Sequence, residues 1–423
     1  MNPASHRTNT PSPVSGERLV LWVVWLTYGS FYFCRNNLGV AMPGISAEFG
    51  FTKAQMGTVL MALKLAYGVG QFVNGQLAER FPPRRLLALG LLASAGLNIL
   101  FGWATALYFM TFIWACNGYV QALGWAPCVR VTANWFPAAR RGRAMGIIGT
   151  GYQLCGALTF VVAGWAADRF GWRGALFVPS AVLVASAVHM WCLLEESPRA
   201  NATSPIQHPA SSIQHPASVG QNLAVTLSNP GLWFVALTLG LLDSCRYGYT
   251  DWGVTHLTEI HKTSVSSAAF KYAVLPFGGI AGAYLAGWAT DRFFGGRRVP
   301  VIATLLGMLA LLTFAYETLI GWGLAASIVT LFLVGFCIFG PQVLLVGTLP
   351  ADLARRGTAA AAAGFVNFMG YMGAAAGNQL TGQLAQNQGW PVAVRFWAGC
   401  ALASALIIAC LWQVERRRNN TGK

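Results

Sequence analysis

Charge is what this sequence has least of. Asp, Glu, Lys and Arg make up 10 % of its 423 residues, where a soluble domain carries about a quarter. So few ionised side chains cannot cover a water-facing surface of this size. Acid is the scarcer sign, with 13 Asp and Glu against 28 Lys and Arg. Cysteine is present nine times (Cys34, Cys116, Cys128, Cys155, Cys192, Cys245, Cys337, Cys400, Cys410) but never as a Cys-x-x-Cys pair. All nine lie in or beside apolar segments, which argues for small buried hydrophobes rather than disulfides or metal ligands. The six histidines show no ligand spacing either. No nucleophile–base constellation and no phosphate-cradling nucleotide loop occurs. An enzyme is not expected, and no cofactor is implied.

What fills the chain instead is apolar: 55 % hydrophobic residues, with 48 glycines and 16 tryptophans. Glycine lets helices approach closely in lipid, and tryptophan anchors at the interfaces. Measured in runs of about 20 residues, the length that spans a bilayer core, the sequence predicts an all-α integral membrane protein. Twelve transmembrane helices are expected, near 19–42, 54–77, 86–107, 110–136, 144–165, 174–194, 231–253, 268–289, 299–316, 321–348, 359–383 and 392–413. Residues 1–18 are polar and the first apolar run is too long for a signal peptide, so they read as a cytoplasmic tail. The remaining divisions are a bundle over 19–194, a linker over 195–230, a bundle over 231–414 and a tail over 415–423. The linker repeats "IQHPAS" at 206–211 and 213–218, a polar stretch expected to be a flexible cytoplasmic loop whose two histidines are solvated.

A net charge of +15 suggests nucleic acid until its distribution is drawn. Assigned to the expected loops, eighteen of the 28 basic residues fall on one side and five on the other. By the positive-inside rule both termini are then cytoplasmic. The charge is topological, and no nucleic-acid partner is expected. The halves also repeat. "GQLAERFPPRR" (75–85) follows the second span and "GWATDRFFGGRR" (287–298) the eighth; "RRG" recurs at 140–142 and 355–357, and "CR" at 34–35 and 245–246. Two pseudo-symmetric six-helix bundles form a transporter plan, with a substrate site near the midplane between them.

Seven charges remain inside the spans: Arg35, Lys64, Arg130, Arg246, Lys271, Asp243 and Asp251. Each costs several kcal/mol in hydrocarbon unless paired or wet. Arg35 and Arg246 occupy equivalent places, about fifteen residues, or roughly 22 Å, from the near end of their helices. That is too deep to snorkel. Two guanidinium forks converging on one anion would account for them, since arginine binds phosphate or carboxylate bidentately and stays charged. Arg246 has Asp243 at i−3 as a private partner, whereas no acid is near Arg35. Lys64, Tyr67, Gln71 and Asn74 form one polar stripe on the second span, expected to face a cavity. Tyr152 with Gln153, and Asn367 with Tyr371, are further candidates. Arg130, Lys271 and Asp251 read as helix-end charges outside the site. Glu79, Arg80, Asp291 and Arg292, in the two repeated loops, are expected to gate by ion pairing at the cytoplasmic face.

Those loops resemble the signature of the major facilitator superfamily. Within it the chain resembles the organophosphate:phosphate antiporter group of glycerol-3-phosphate, hexose-phosphate and phosphoglycerate carriers. The stretches "YGSFYFCRNN" (28–37), "AYGVGQFVNG" (66–75), "GWAPCVRVTANWF" (124–136), "RYGYTDWG" (246–253) and "FGPQVLLVG" (339–347) carry it. The resemblance implies alternating access, a phosphoryl group gripped by Arg35 and Arg246, and pocket aromatics at Tyr28, Tyr32 and Tyr67. It also implies exchange for inorganic phosphate across a cell inner membrane, and a monomer is expected.

Three departures stand out. Tyr152 replaces the group's fifth-span histidine, Gln71 its second-span lysine, and Asp243 a usual aromatic. Lys64 then restores the lost positive charge, and Arg35, Arg246 and Lys64 against Asp243 give an expected pocket charge of +2. Asp243 could receive the amine of an aminophosphonate, or serve as the proton site of a proton-coupled anion carrier. A third alternative is a sensor that binds sugar phosphate without moving it.

Overall fold

The computed structural model describes residues 16–198, 224–354 and 358–412, and among these every regular element is helical. Residues 1–15 of the first tail, all of the last tail, both copies of "IQHPAS" and the second "RRG" (355–357) lie outside the described residues. Among the described residues, seven helices are long and apolar enough to cross a bilayer unaided. The other spans are broken near mid-depth or carry the polar side chains described below.

The first span joins Glu17–Ser30, a tight turn at Phe31–Cys34, and Asn37–Phe49. Lys53–Arg80 is the second and Pro83–Trp103 the third; the fourth joins Leu107–Gln121 to Trp125–Trp135. Ala138–Phe170 and Gly174–Leu193 complete the first six. The seventh joins Pro230–Tyr247, a widened turn at Gly248–Trp252, and Gly253–His261. The eighth joins Val265–Tyr272 to Leu275–Phe293, and Val299–Gly321 is the ninth. The tenth runs Leu324–Val343, Leu344–Thr348 and Leu349–Leu353, followed by Ala359–Asn387 and Trp390–Ala409. Local chemistry sets the ends. Thr52 caps the second span in a capping box with Gln55, and Ser264 caps the eighth. Gly50 closes the first at a φ of 67°. Several helices overrun the expected limits: the first reaches Phe49, and the seventh reaches His261.

Breaks fall in the first, fourth, seventh and tenth spans, every third helix, and again in the eighth. The first six spans pack mainly on one another, as do the last six, and the second against the eleventh and the fifth against the eighth form the seam. Small residues set how closely the helices meet. Gly373 lies against the backbone of Gly240, and a Cβ on Gly39 would stand 2.7 Å from the Asp251 carbonyl oxygen. Large apolar side chains such as Trp103, Tyr108, Leu311 and Phe314 are left on the outside, where lipid covers them.

The two ends of the bundle differ. At the far end, away from Glu17, polar contacts join the halves. Lys53 pairs with Glu259 at 3.0 Å, and the Lys53 amide donates to Gln386 Oε1 at 3.1 Å. Thr58 donates to Gln379 at 3.0 Å, and the Ser266 hydroxyl donates to Asp168. At the near end the pairs are internal to a half. Arg140 grips Glu17 with two bonds of 2.7 and 2.8 Å, and Arg298 pairs with Asp352. Glycines of the fifth span toward that end (Gly142, Gly146, Gly149) face open space, whereas Gly164 near the far end touches Ala269 and Ser266 of the other half. The bundle is sealed at the far end and splayed at the near end.

Candidate functional site

Arg35 sits in the break of the first span, where a change from helix to tight turn frees backbone carbonyls in the middle of the membrane. Such groups must be satisfied internally. Amides from the third and fourth spans do this. Gln121 Nε2 donates to Phe31 O at 3.0 Å, Asn117 Nδ2 to Cys34 O at 2.9 Å, and Asn98 Nδ2 to Cys34 O at 3.3 Å. Ser94 ties them together, donating to Asn117 Oδ1 at 2.7 Å and accepting from Gln121 at 2.8 Å. The network also aims the arginine, since Arg35 Nε donates to Gln121 Oε1 at 3.1 Å. Its guanidinium lies between the rings of Tyr32 and Tyr67, 4.5 and 4.4 Å from their centroids. Nη2 is buried and has no partner. Arg35 is thus a desolvated, oriented cation that no carboxylate among the described residues neutralises.

Arg246 precedes the widened turn of the seventh span, the counterpart of the same break. Its Nη1 is 3.5 Å from Asp243 Oδ1, a long single contact, while Nε is buried without a partner. Tyr247 and Phe339 lie 4.7 and 4.9 Å from the guanidinium. Asp243 is held against Gly370 of the eleventh span, where a Cβ would come within 2.8 Å of Oδ2. A small cavity lies between the halves, with Tyr32, Tyr152 and Gln153 on one wall and Arg246, Tyr247 and Phe339 on the other. Arg35 stands behind Tyr32, off the cavity wall.

Lys64 corrects the expected charge. It does not face Asp243 as the relocated pocket cation. Its Nζ lies 2.9 Å from Asp251 Oδ2, both side chains are buried, and Asn378 donates to the same oxygen at 2.8 Å. Asp251 is therefore a buried partner of Lys64 within the span, contrary to its placement at a helix end. The seventh helix runs on to His261, eight residues past its expected limit at 253, so Asp251 is deep. Three cations against two carboxylates leave one positive charge rather than two. The Lys64 ammonium also sits 3.7 Å from the centroid of Tyr247, the ring that Arg246 flanks.

The other candidates divide. Tyr67 packs at a tilt against Tyr371 across the seam, 4.5 Å between ring centroids, and Tyr152 lies 5.2 Å from Tyr32 and accepts from Gln153 Nε2. Tyr28 is set back, packed on Trp125 at 4.8 Å. Gln71 is half-buried, with Nε2 unpartnered, and Asn367 is half-buried. Asn74 leaves the stripe and donates to Tyr119 O of the fourth span at 3.0 Å. Glu79, Arg80, Asp291 and Arg292 are exposed at the near end and belong largely to helix ends rather than loops. Arg130 is half-buried at the near end, as its reading as a helix-end charge expects. It donates to Ala78 O and Phe81 O, closing the C-terminus of the second span. Sequence reasoning missed Gln121, Tyr247 and Asn378. For Gln121 a signal existed: Ser94 with Asn98, and Asn117 with Gln121, are i,i+4 polar pairs in apolar helices.

Comparison with known proteins accords with this architecture. The sequence profile of the Major Facilitator Superfamily matches residues 24–378. A probable hexose phosphate transport protein of Chlamydia trachomatis is 30 % identical over 94 % of this chain and 91 % of its own. The glycerol-3-phosphate transporter of Bacillus subtilis is 29 % identical over 93 % and 92 %. The membrane sensor protein UhpC of Salmonella typhimurium is 28 % identical over 93 % and 89 %. Among solved structures, an inward-facing, unoccupied bacterial homologue of the lysosomal transporter Spinster superposes with a TM-score of 0.75 at 16 % identity. That match covers 94 % of this chain and 96 % of the other, and it speaks to fold alone. This chain is a multi-pass membrane protein of the Major Facilitator Superfamily and belongs to the group its motifs resemble, that of the organophosphate:phosphate antiporters.

Proposed function

We propose that the protein carries a small organic phosphate or phosphonate across a cell inner membrane by alternating access, in exchange for inorganic phosphate. The observation that carries this is Arg35, buried between two tyrosine rings with a free Nη2 and no acid of its own. A desolvated guanidinium is costly to leave unmatched, and a phosphoryl group supplies the negative charge and the paired acceptor oxygens it lacks. Arg246, with Nε free, offers the second grip from the opposite half. An anion held by both halves would draw the splayed near end together, while opening the far end requires Lys64–Asp251 and Lys53–Glu259 to part. The names of the relatives support phosphate esters as the substrate class. The protein works as a monomer in this reading.

The basic near end supports a cytoplasmic location for both termini, since Arg84, Arg85, Arg140, Arg141 and Arg143 cluster with Glu17 and Glu196 there. One finding favours a second reading: the similarity to a membrane sensor, which implies binding at the same arginines without transport. Counterflow decides between them. Phosphate-loaded proteoliposomes should accumulate radiolabelled phosphate, and phosphate esters or phosphonates should compete. Binding of phosphate without any counterflow would leave the sensor and discard the carrier.

A further inference from the structure

The cavity between the halves offers more than a phosphoryl group needs. Besides the Arg246 guanidinium, two neutral polar side chains line it from opposite halves, Gln153 on the fifth span and Thr250 in the widened turn of the seventh. Gln153 is 4 % exposed and Thr250 8 %. Buried polar atoms in folded proteins are nearly always hydrogen-bonded. Yet Gln153 Oε1 and Thr250 Oγ1 have no partner, as Arg246 Nε has none.

Local structure explains which atoms are left over. Gln153 Nε2 donates to Tyr152 Oη at 3.3 Å, so the donor side of the amide is engaged and its acceptor oxygen is the free end. Threonines elsewhere in the spans return their hydroxyl to the carbonyl four residues back. Thr159 donates to Cys155 O at 2.7 Å, Thr290 to Ala286 O at 2.8 Å and Thr304 to Pro300 O at 2.9 Å. Thr250 sits where the helix widens and that register changes, and it makes no such bond. An acceptor and a hydroxyl thus remain, one from each half, lining one small space.

We propose that Gln153 and Thr250 set the selectivity for the organic part of the substrate, by binding an uncharged hydroxyl group between them. A hydroxyl both donates and accepts, so one such group can give its proton to Gln153 Oε1 and take that of Thr250 Oγ1. An alkyl group leaves both buried atoms unmatched, the condition under which a polar site discriminates most strongly. Charge is a worse fit. None of the described residues lining the cavity is a carboxylate, and Asp243 lies off the wall, against Gly370 and Arg246. An ammonium would be desolvated there beside Arg246 with no counter-charge. A second anionic group would find no cation on the wall beyond Arg246, which the phosphoryl group takes, and Lys64 is held by Asp251. The rings of Tyr32, Tyr152, Tyr247 and Phe339 form much of the remaining wall and suit a short carbon chain. The substrate class is a short phosphate ester or phosphonate with a neutral, hydroxylated chain. This deepens the carrier reading and rests on its phosphate site.

The test is a panel of short phosphates that differ at the end of the chain: ethyl phosphate, hydroxyethyl phosphate, aminoethyl phosphate and phosphoglycolate. Each competes with radiolabelled inorganic phosphate, both in counterflow into proteoliposomes and in binding to the purified protein. Hydroxyethyl phosphate should compete at about tenfold lower concentration than ethyl phosphate, and the two charged compounds no better than ethyl phosphate. Gln153→Leu should bring the ratio between hydroxyethyl and ethyl phosphate to within about twofold. Thr250→Val, which deletes an unbonded hydroxyl at constant shape, should reduce that ratio without lowering the melt. Equal competition by hydroxyethyl and ethyl phosphate in the wild type, or a ratio unchanged in either variant that folds, overturns the proposal while phosphate exchange stands. A preference for aminoethyl phosphate or phosphoglycolate overturns it as well. Phosphate binding without counterflow would sink the carrier reading alone, since the binding arm still yields the ratio. No phosphate binding at all would overturn both.

Discussion

Arg35 and Arg246 stand at equivalent points of two repeated halves, yet the protein treats their charges differently. Arg35 sits within the break of its span, Arg246 just before that of its own, and both are buried. Arg35 is held by a neutral amide and two rings, with no acid against it. Arg246 has a carboxylate at 3.5 Å, too far for a strong bond and close enough to offset much of its field. Arg173, near the far end, shows full matching, with two bonds of 2.8 Å to Glu48. Repetition thus preserved the position of the cation and not its neutralisation. An unmatched charge is a binding group held ready; a half-matched one is a tuned partner; a fully matched one ties helices together.

The largest expected effect breaks this asymmetry at its unmatched end. Arg35→Gln should lower phosphate counterflow by about a hundredfold or more, near 3 kcal/mol, because a charge-assisted grip disappears with nothing to replace it. Arg246→Gln should cost transport less, about tenfold, and cost stability more, since Asp243 is left as a buried unpaired acid. Restoring neutrality with Asp243→Asn in the same chain should recover folded protein without recovering transport. Transport kinetics and thermal melts of the three variants check this. Equal transport losses for the two single arginine variants would erase the distinction.

Much of this was legible in the sequence, for a physical reason. A charge in an apolar run is unmistakable, so the spans, the two arginines and the repeat announced themselves. What hydropathy cannot show is where a helix ends when its last turns are polar. Hydropathy puts Asp251 at a helix end because "THLTEIH" (255–261) is not apolar, yet the helix continues through it and puts Asp251 beside Lys64. Asn98, Asn117 and Gln121 carry no charge to flag them, and their task, satisfying carbonyls freed by a break, exists only once the break is seen. The polar stripe on the second span forms one face of a straight helix, but a straight-helix wheel cannot tell that Asn74 turns to Tyr119 while Tyr67 meets Arg35.

A middle-sized effect sharpens the comparison by removing the support that Arg35 has and Arg246 lacks. Gln121→Leu keeps the volume but deletes the acceptor for Arg35 Nε and the donor to Phe31 O. The guanidinium stays buried but loses its fixed aim. Affinity for phosphate should fall about five- to tenfold, and the melt should fall as well, since a buried carbonyl loses its partner at about 1–3 kcal/mol. Binding titration and a melt of the same sample test both. A variant that melts lower yet binds phosphate as wild type would show that Gln121 serves the break and not the arginine.

The smallest effect belongs to the fully matched arginine. Arg173 holds the Glu48 carboxyl below the usual carboxylate range, through its hydrogen bonds first and that of the Trp172 indole second. Glu48 lies beyond the apolar part of the first span, at an exposed helix end. A lowered carboxylate contributes stability that is present above its unfolded pKa and fades as pH falls through the folded value. The pair should therefore be intact at neutral pH and weaken only in acid well below it. Because it is solvent-exposed, screening leaves it little to contribute. Glu48→Gln should change transport by less than about twofold and flatten a slight acid dependence of the melt, with high salt mimicking the substitution in the wild type. A loss of transport approaching that of Arg246→Gln would mean that matching an arginine's charge does not, in this fold, confine it to holding helices together.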